Sequence, residues 1–234
     1  MISVFIPVFN EAHSLKQNLD KIDLALRSMG EPFELFIVDD GSTDETSVIA
    51  QGIVADKENY DYLKYENGPS RRENLAASFV KGKGDILMFM DEDLATDLGS
   101  LNELVDGIRQ GYDIVTGSRY TKGSHTNRTF RRYLYSKVYN IFLGVLFGSP
   151  FTDHQCGFKA FKREVIVKLT DKLGYDHSFK RGWFWDAEML IRAKRSGYKV
   201  LEIPVIWNES NSNTFKVYTE SKMLPYVIKL RFRL

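Results

Sequence analysis

One cysteine, six prolines and four histidines are all that the 234 residues carry of those types. The single Cys156 has no partner for an internal disulfide and no companions for a structural zinc site, which fits a reducing compartment on the cytosolic side. His125, His154 and His177 show no metal-ligand spacing, so surface or structural roles are expected of them. An excess of either charge is also missing: 32 Lys and Arg against 31 Asp and Glu leave +1, so no global field points to nucleic acid. No run of about 18 apolar residues occurs, so no helix of this chain is expected to span a bilayer. The N-terminus enters the strand-like MISVFIPVFN without a basic segment and long apolar core, so no signal peptide is expected. Neither G-x-G-x-x-G nor G-x-x-x-x-G-K-[ST] is present, which leaves a dinucleotide fold and a P-loop unsupported.

What is present is an ordinary globular composition, 43% hydrophobic and 27% charged. Four apolar runs, Ile2 to Ile6, Phe33 to Val38, Ile86 to Met90 and Ile114 to Val115, alternate with helical patterns. That alternation predicts an α/β fold around a mostly parallel sheet with crossover helices. Leu15, Leu19, Ile22 and Leu26 form one helical stripe, and Leu101, Leu104, Val105 and Ile108 another, with Gly111 as its stop. Ser42 followed by Glu45 reads as a capping box. Tyr133 to Phe147 is apolar on nearly every side. Fifteen helical residues reach about 22 Å, short of the ~30 Å hydrocarbon core, which leaves a buried core helix or a helix lying on a membrane. DAEMLIRAKRSG reads as a helix, KVLEIPVIW as a strand with Pro204 near an edge, and MLPYVIKLRFRL as a tail that packs on the domain or touches a membrane surface.

The acids carry the chemistry. MFMDEDLATD ends an apolar run in three consecutive carboxylates, a costly arrangement unless they face water or hold a cation. In an extended chain Asp91 and Asp93 share a face while Glu92 points away. The carboxyl edge of an open α/β sheet is where ligands bind, and a hard divalent ion held by two carboxylates completes its shell with water and substrate phosphates. A lone D-x-D is more often a solvated turn. Here VDDGSTDET brings Asp39 and Asp40 to the end of a second strand, and PVFNEA brings Pro7, Asn10 and Glu11 to the end of the first. Three strand ends therefore converge on one polar site.

PVFNEA, VDDGSTD and MDEDLATD, in this order and spacing, resemble the nucleotide-sugar-binding half of inverting glycosyltransferases with the GT-A fold, which is Rossmann-like. The resemblance implies donor contacts from Pro7, Asn10, Glu11, Val38, Asp39 and Asp40, and Mg2+ or Mn2+ on Asp91 and Asp93. GSRY, the Arg131-Arg132 pair with Ser136, TDHQCGFKAFKREV and the WFWDAEML stretch are similar to the polyprenyl-phosphate sugar transferases, the dolichyl-phosphate mannose and glucose synthases. The DxQCGFK form and the trailing W-x-E of Trp207 and Glu209 lean toward the glucosyl branch. That likeness implies a UDP- or GDP-hexose donor and a dolichyl or other polyprenyl phosphate acceptor held by Arg119, Arg131 or Arg132, and Ser136. It also implies a C-terminal segment, with Lys216 in it, that closes over the donor.

Arginine suits this role because its planar fork of donors matches phosphate oxygens. Asp186 and Glu188 stand where transferases with hydroxyl acceptors keep a base, or are acids favoured by a helix N-terminus. Arg71 and Arg72 either neutralise donor phosphates or form a solvated face. Residues 1–207 are expected to form the catalytic domain, with 133–147 as a membrane-facing helical insert, and 208–234 a C-terminal segment and basic-apolar tail. The chain is expected at the cytosolic face of a membrane, peripherally bound and without nucleic acid. A hydroxyl-acceptor transferase using Asp186 or Glu188 as base, and a non-catalytic nucleotide-binding scaffold, are the alternatives.

Overall fold

The computed structural model describes residues 1–208 and 223–234. Strands β1 (Ile2–Val8), β2 (Phe33–Asp39), β3 (Tyr60–Lys64), β4 (Ile86–Met90) and β5 (Ile114–Ser118) alternate with helices α1 (Leu15–Ser28), α2 (Thr46–Ala55), α3 (Glu73–Ser78) and α4 (Leu101–Arg109). The short strand β6 (His125–Asn127) leads into α5 (Phe130–Phe147), and then come β7 (Phe158–Lys162), α6 (Arg163–Leu173), α7 (Trp185–Arg195), β8 (Val200–Pro204) and β9 (Ile206–Asn208). The last helix described is α8 (Leu224–Arg231). Seven strands lie in the order β3-β2-β1-β4-β7-β5-β8, and β6 pairs with β9 apart from them. The sheet is parallel except for β7, which runs antiparallel to both β4 and β5.

Side-chain alternation along these strands builds two cores at once. Ile2, Val4, Ile6 and Val8 of β1 face the same way as Leu35 and Ile37 of β2 and Met88 and Met90 of β4, against the buried stripes of α1 and α4. Their neighbours Phe5, Phe36, Leu87 and Phe89 face the other way, with Phe161 of β7, against α3, α6 and α7. There Phe5 stacks on Phe36 at 4.8 Å and Phe89 on Phe161 at 6.0 Å. Burying each such side chain is worth about 1.5–3 kcal/mol, so strand register is strongly specified.

Two expectations need correction. The capping box does not form: α2 starts at Thr46 with no side-chain cap bond. Ser42 instead accepts a hydrogen bond from the Asn10 backbone N–H at 2.9 Å, because the β1 turn lies against it. The apolar runs also miss β3, a partly exposed edge strand, and β7, whose reversal places the loop before it on the same edge as the ends of β1, β2, β4 and β5.

A third core cluster joins Leu143 and Phe147 of α5 to Ala187 and Ile191 of α7 and to Val227 and Leu230 of α8. The tail therefore packs on the domain, and α5 is neither fully buried nor detached. Its outer face exposes Phe130 (77%), Ile141 (58%) and Val145 (83%), and Ile228 of α8 and Phe232 just after it are exposed too.

The segment 149–157 is pinned to α5 by a buried histidine. His154 Nδ1 and its backbone N–H both lie within 2.9 Å of Asn140 Oδ1, and its Nε2 lies 2.8 Å from Ser149 Oγ. Burial pushes the imidazole down to about 4, so it is neutral in the fold. A group depressed in the folded state withdraws stability as pH falls. Between pH 6.5 and 4 the protein should lose about 3 kcal/mol through His154, a loss absent from His154→Gln. Urea titrations at pH 7 and pH 4.5 check this, and an equal loss in both proteins would reject it.

Candidate active site

Because β1, β2, β4 and β5 point the same way, their C-terminal ends share one edge, and the loop leading into antiparallel β7 joins them. At the end of β2 both aspartates are taken up by neighbouring turns. Asp39 accepts from Ser42 N–H (2.8 Å), Ser47 Oγ (2.9 Å) and the Tyr62 hydroxyl (2.5 Å). Burial alone would raise its carboxyl, but these hydrogen bonds outweigh it and hold the group below its ordinary range. Asp40 accepts from Ser70 N–H (2.8 Å), Ser70 Oγ (2.6 Å) and Asn74 Nδ2 (2.7 Å), yet burial still raises its carboxyl. Gly68 lets this loop approach, since a Cβ there would lie 1.6 Å from the Asp40 carbonyl oxygen.

Pro7 pairs with Val38 across β1 and β2, and the Val38 side chain is core. Asn10 adopts a left-handed φ of 57° and its Oδ1 accepts from Thr43 N–H at 2.8 Å. Glu11 is raised by burial. Beneath it Glu92 is buried, bonded to Asn18 Nδ2 at 3.0 Å, and pushed up to about 7 by that burial and by the nearby Glu11. Glu92 thus points away from the strand-end face that its neighbours share, into the α1 side of the fold.

The loop that reaches Asp40 through Ser70 and Asn74 also reaches the D-x-D through Arg72. Arg72 donates from Nη1 to Asp91 Oδ1 at 2.8 Å and from Nε to Asp186 Oδ2 at 3.0 Å. Its side chain is only 5% exposed, so the solvated-face expectation fails for it. Arg71 adopts φ 70° and lays its guanidinium 5.1 Å over Trp183. Asp186 is not a free base. Its second oxygen accepts from Lys159 Nζ at 2.8 Å, and these two cations outweigh burial and hold the carboxyl low. Glu188 is fully buried against Arg192 and the Tyr226 hydroxyl.

Asp91, Asp93, Arg119, Gln155, Gly157 and Trp207 line a cavity of about 100 Å³ at this edge. That is room for a few water-sized groups, the scale of an ion and phosphate oxygens. Asp91 remains 43% exposed, and Asp93 accepts from Ala95 N–H at 3.0 Å. Gly157 forms the wall behind Asp91, because a Cβ there would lie 1.8 Å from Asp91 Oδ2. Two half-open hard-oxygen carboxylates are a donor set that fits Mg2+ or Mn2+. No group of three or more His, Cys, Asp or Glu side chains is gathered for a metal among the described residues, so such an ion would draw its remaining ligands from solvent and substrate.

Arg119 forms a two-pronged pair with buried Asp153, Nε–Oδ2 2.6 Å and Nη2–Oδ1 2.7 Å, and lies 5.7 Å from the Trp207 ring. Arg128 covers that ring at 4.9 Å. Tyr120 links this cluster to α5, its hydroxyl donating to Ser136 Oγ at 2.6 Å and its ring meeting Tyr133 at 5.7 Å. Arg131 is exposed and Arg132 half-buried on the first turn of α5, and neither lines the cavity. Sequence reasoning missed Gln155 and Gly157 as cavity walls and Arg128 as the partner of Trp207. The motif holding the first two was visible, but the antiparallel insertion of β7 between β4 and β5 was needed to bring it to Asp91. Glu209 and Lys216 lie outside the described residues.

The sequence profile of glycosyl transferase family 2 matches residues 3–170. The chain belongs to that family. Among family relatives, glycosyltransferase AglD of Haloferax volcanii is 37% identical over 209 residues, covering 88% of this chain and 33% of its own length. The dolichyl-phosphate beta-glucosyltransferase of Saccharomyces cerevisiae is 28% identical, covering 98% of this chain and 74% of its own. The chain thus spans a third of the first relative's length and about three quarters of the second's. In three dimensions, glucosyl-3-phosphoglycerate synthase of Mycobacterium tuberculosis, crystallised with Mn2+, UDP and phosphoglyceric acid, superposes with a TM-score of 0.68 over 97% of this chain and 76% of that one, at 18% identity. At that identity the likeness concerns the fold alone, and the fold of this family 2 member is GT-A.

Proposed function

We propose that the chain is a metal-dependent inverting transferase that moves a hexose from a UDP- or GDP-sugar to a polyprenyl phosphate at the cytosolic face of a membrane. The observation that carries this reading is the cavity in which Asp91 and Asp93 meet Arg119, joined through Tyr120 to an α5 whose outer face is apolar. Donor contacts fall to Asn10, Glu11 and Arg71 along the strand ends, with Pro7, Val38, Asp39 and Asp40 shaping the buried floor and turns beneath them. Mg2+ or Mn2+ held by Asp91 and Asp93 would stabilise the departing diphosphate as a Lewis acid. Arg119 and Ser136, with Arg131 or Arg132 from the start of α5, hold the acceptor phosphate. A phosphate is already an anion near neutral pH, so its oxygen attacks the anomeric carbon as the bond to the diphosphate breaks, and no base is required. Positioning and charge neutralisation do most of the work. The engagement of Asp186 by two cations, and the burial of Glu188, favour this acceptor over a hydroxyl.

The test crosses a panel of nucleotide sugars with short polyprenyl phosphates and reads the mass of the lipid product. A metal-dependent product of sugar plus lipid phosphate is expected, and Asp93→Asn should lose that turnover while unfolding at the wild-type temperature. Transfer to hydroxyl acceptors alone would overturn the reading. The outer face of α5 gives a second test. Burying Ile141 and Val145 in a bilayer interface is worth on the order of 3 kcal/mol together, so Ile141→Glu with Val145→Glu should weaken binding to anionic vesicles about a hundredfold in a flotation assay. Undiminished flotation would show that the outer face of α5 is not the membrane contact.

A further inference from the structure

Arg72 is a member of the strand-edge cluster that the family chemistry above leaves without a task. It is a buried cation in contact with a carboxylate assigned to the metal, and it is held from every side. Its Nε is tied to Asp186, and its guanidinium lies 5.0 Å from the Phe89 ring and 5.7 Å from Trp183. Burial would lower its proton affinity, but Asp91 and Asp186 outweigh that and raise it, so it is charged under all working conditions. Asp186 also carries Lys159 at 2.8 Å, so its single negative charge is shared by two cations and the charge of Arg72 is left for Asp91 to balance.

We propose that Arg72 is a built-in counter-cation that makes the D-x-D take its divalent ion together with a nucleoside diphosphate rather than alone. This rests on the donor reading given above. A dication arriving by itself meets an Asp91 whose charge is already balanced, and is repelled by a guanidinium that cannot swing away. The negative charges of a diphosphate offset both cations, so the ternary arrangement is favoured where the binary one is not. The rival role, in which Arg72 merely holds Asp91 in place for the metal, predicts the opposite sign: removing it would weaken metal binding.

The experiment is calorimetric titration of Mn2+ into nucleotide-free protein, and of UDP and GDP separately into protein saturated with Mn2+. Arg72→Gln leaves no lone buried charge, since Asp186 keeps Lys159 and Asp91 is 43% exposed. This variant should bind Mn2+ about tenfold more tightly than wild type without nucleotide, the size expected for removing one charge near a half-exposed site, and the preferred nucleotide more weakly. Arg72→Lys keeps the charge and should keep the weak wild-type binding of Mn2+ alone. In wild type the Mn2+ dissociation constant should fall at least about tenfold once the nucleotide is present. Unchanged or weaker Mn2+ binding by folded Arg72→Gln overturns the proposal, and so does a wild-type Mn2+ affinity equal with and without nucleotide, which decides the matter even where the variant does not fold. Wild-type protein that binds neither UDP nor GDP with Mn2+ would overturn the donor reading and this proposal together.

Discussion

Arg119→Ala is expected to destabilise the fold by about 3 kcal/mol and to abolish productive use of the acceptor while leaving nucleotide binding in place. The stability loss follows from Asp153, which is fully buried and would keep only the backbone N–H groups of Arg119 and Gln155 as donors. At present the guanidinium outweighs burial and holds that carboxyl well below its ordinary range. Arg119→Ala combined with Asp153→Asn removes the orphaned charge and should recover most of the stability without recovering transfer. Denaturant titration and acceptor saturation curves on the two variants separate the roles. If the double variant regains acceptor use along with stability, Arg119 is a structural arginine and its place in the transfer reaction is lost.

Gly157→Ala should reduce turnover at least a hundredfold, with little change in the unfolding midpoint. A Cβ at this position would lie 1.8 Å from Asp91 Oδ2 and 2.4 Å from its Cγ, so the carboxylate must rotate away from the cavity. Asp91 is short, and its backbone is fixed by a 3.0 Å hydrogen bond from its N–H to the Gly157 carbonyl, so relief comes from the side chain. A displacement of this size at a group that positions the leaving diphosphate is sufficient for such a loss. Melting curves and turnover with saturating metal check it. Near-wild-type turnover in Gly157→Ala would show that Asp91 is not needed where it stands.

The fates of individual residues show why one part of this protein can be read without coordinates. Leu15, Leu19, Ile22 and Leu26 sit at helical spacing, and every one is buried under β1 and β2, because a 3.6-residue period leaves an apolar stripe nowhere else to go. The aspartates end their apolar runs, and the runs became parallel strands with a common edge. By contrast, Ser42 and Glu45 satisfied a local pattern and formed no cap, since the β1 turn offered Ser42 a donor 32 residues away. The sequence leaves Arg72 between the donor phosphates and a solvated face, and Asp186 between a base and an acid favoured by a helix N-terminus, whereas the two form a buried pair 114 residues apart.

By itself the sequence determined the alternation of strands and helices, the edge at which the acids gather, and the apolar character of α5, because these depend on periods of two to four residues that local geometry enforces. Only the tertiary structure decided which carboxylates stay open and which are consumed. Asp91 is half exposed while Asp39, Asp40 and Asp186 are buried and hydrogen-bonded, and that difference is made in large part by partners that β3, β7 and the 68–74 loop bring from other parts of the chain. A carboxylate's chemistry is set by its neighbours' charge and by its access to water, and neither is a property of sequence order.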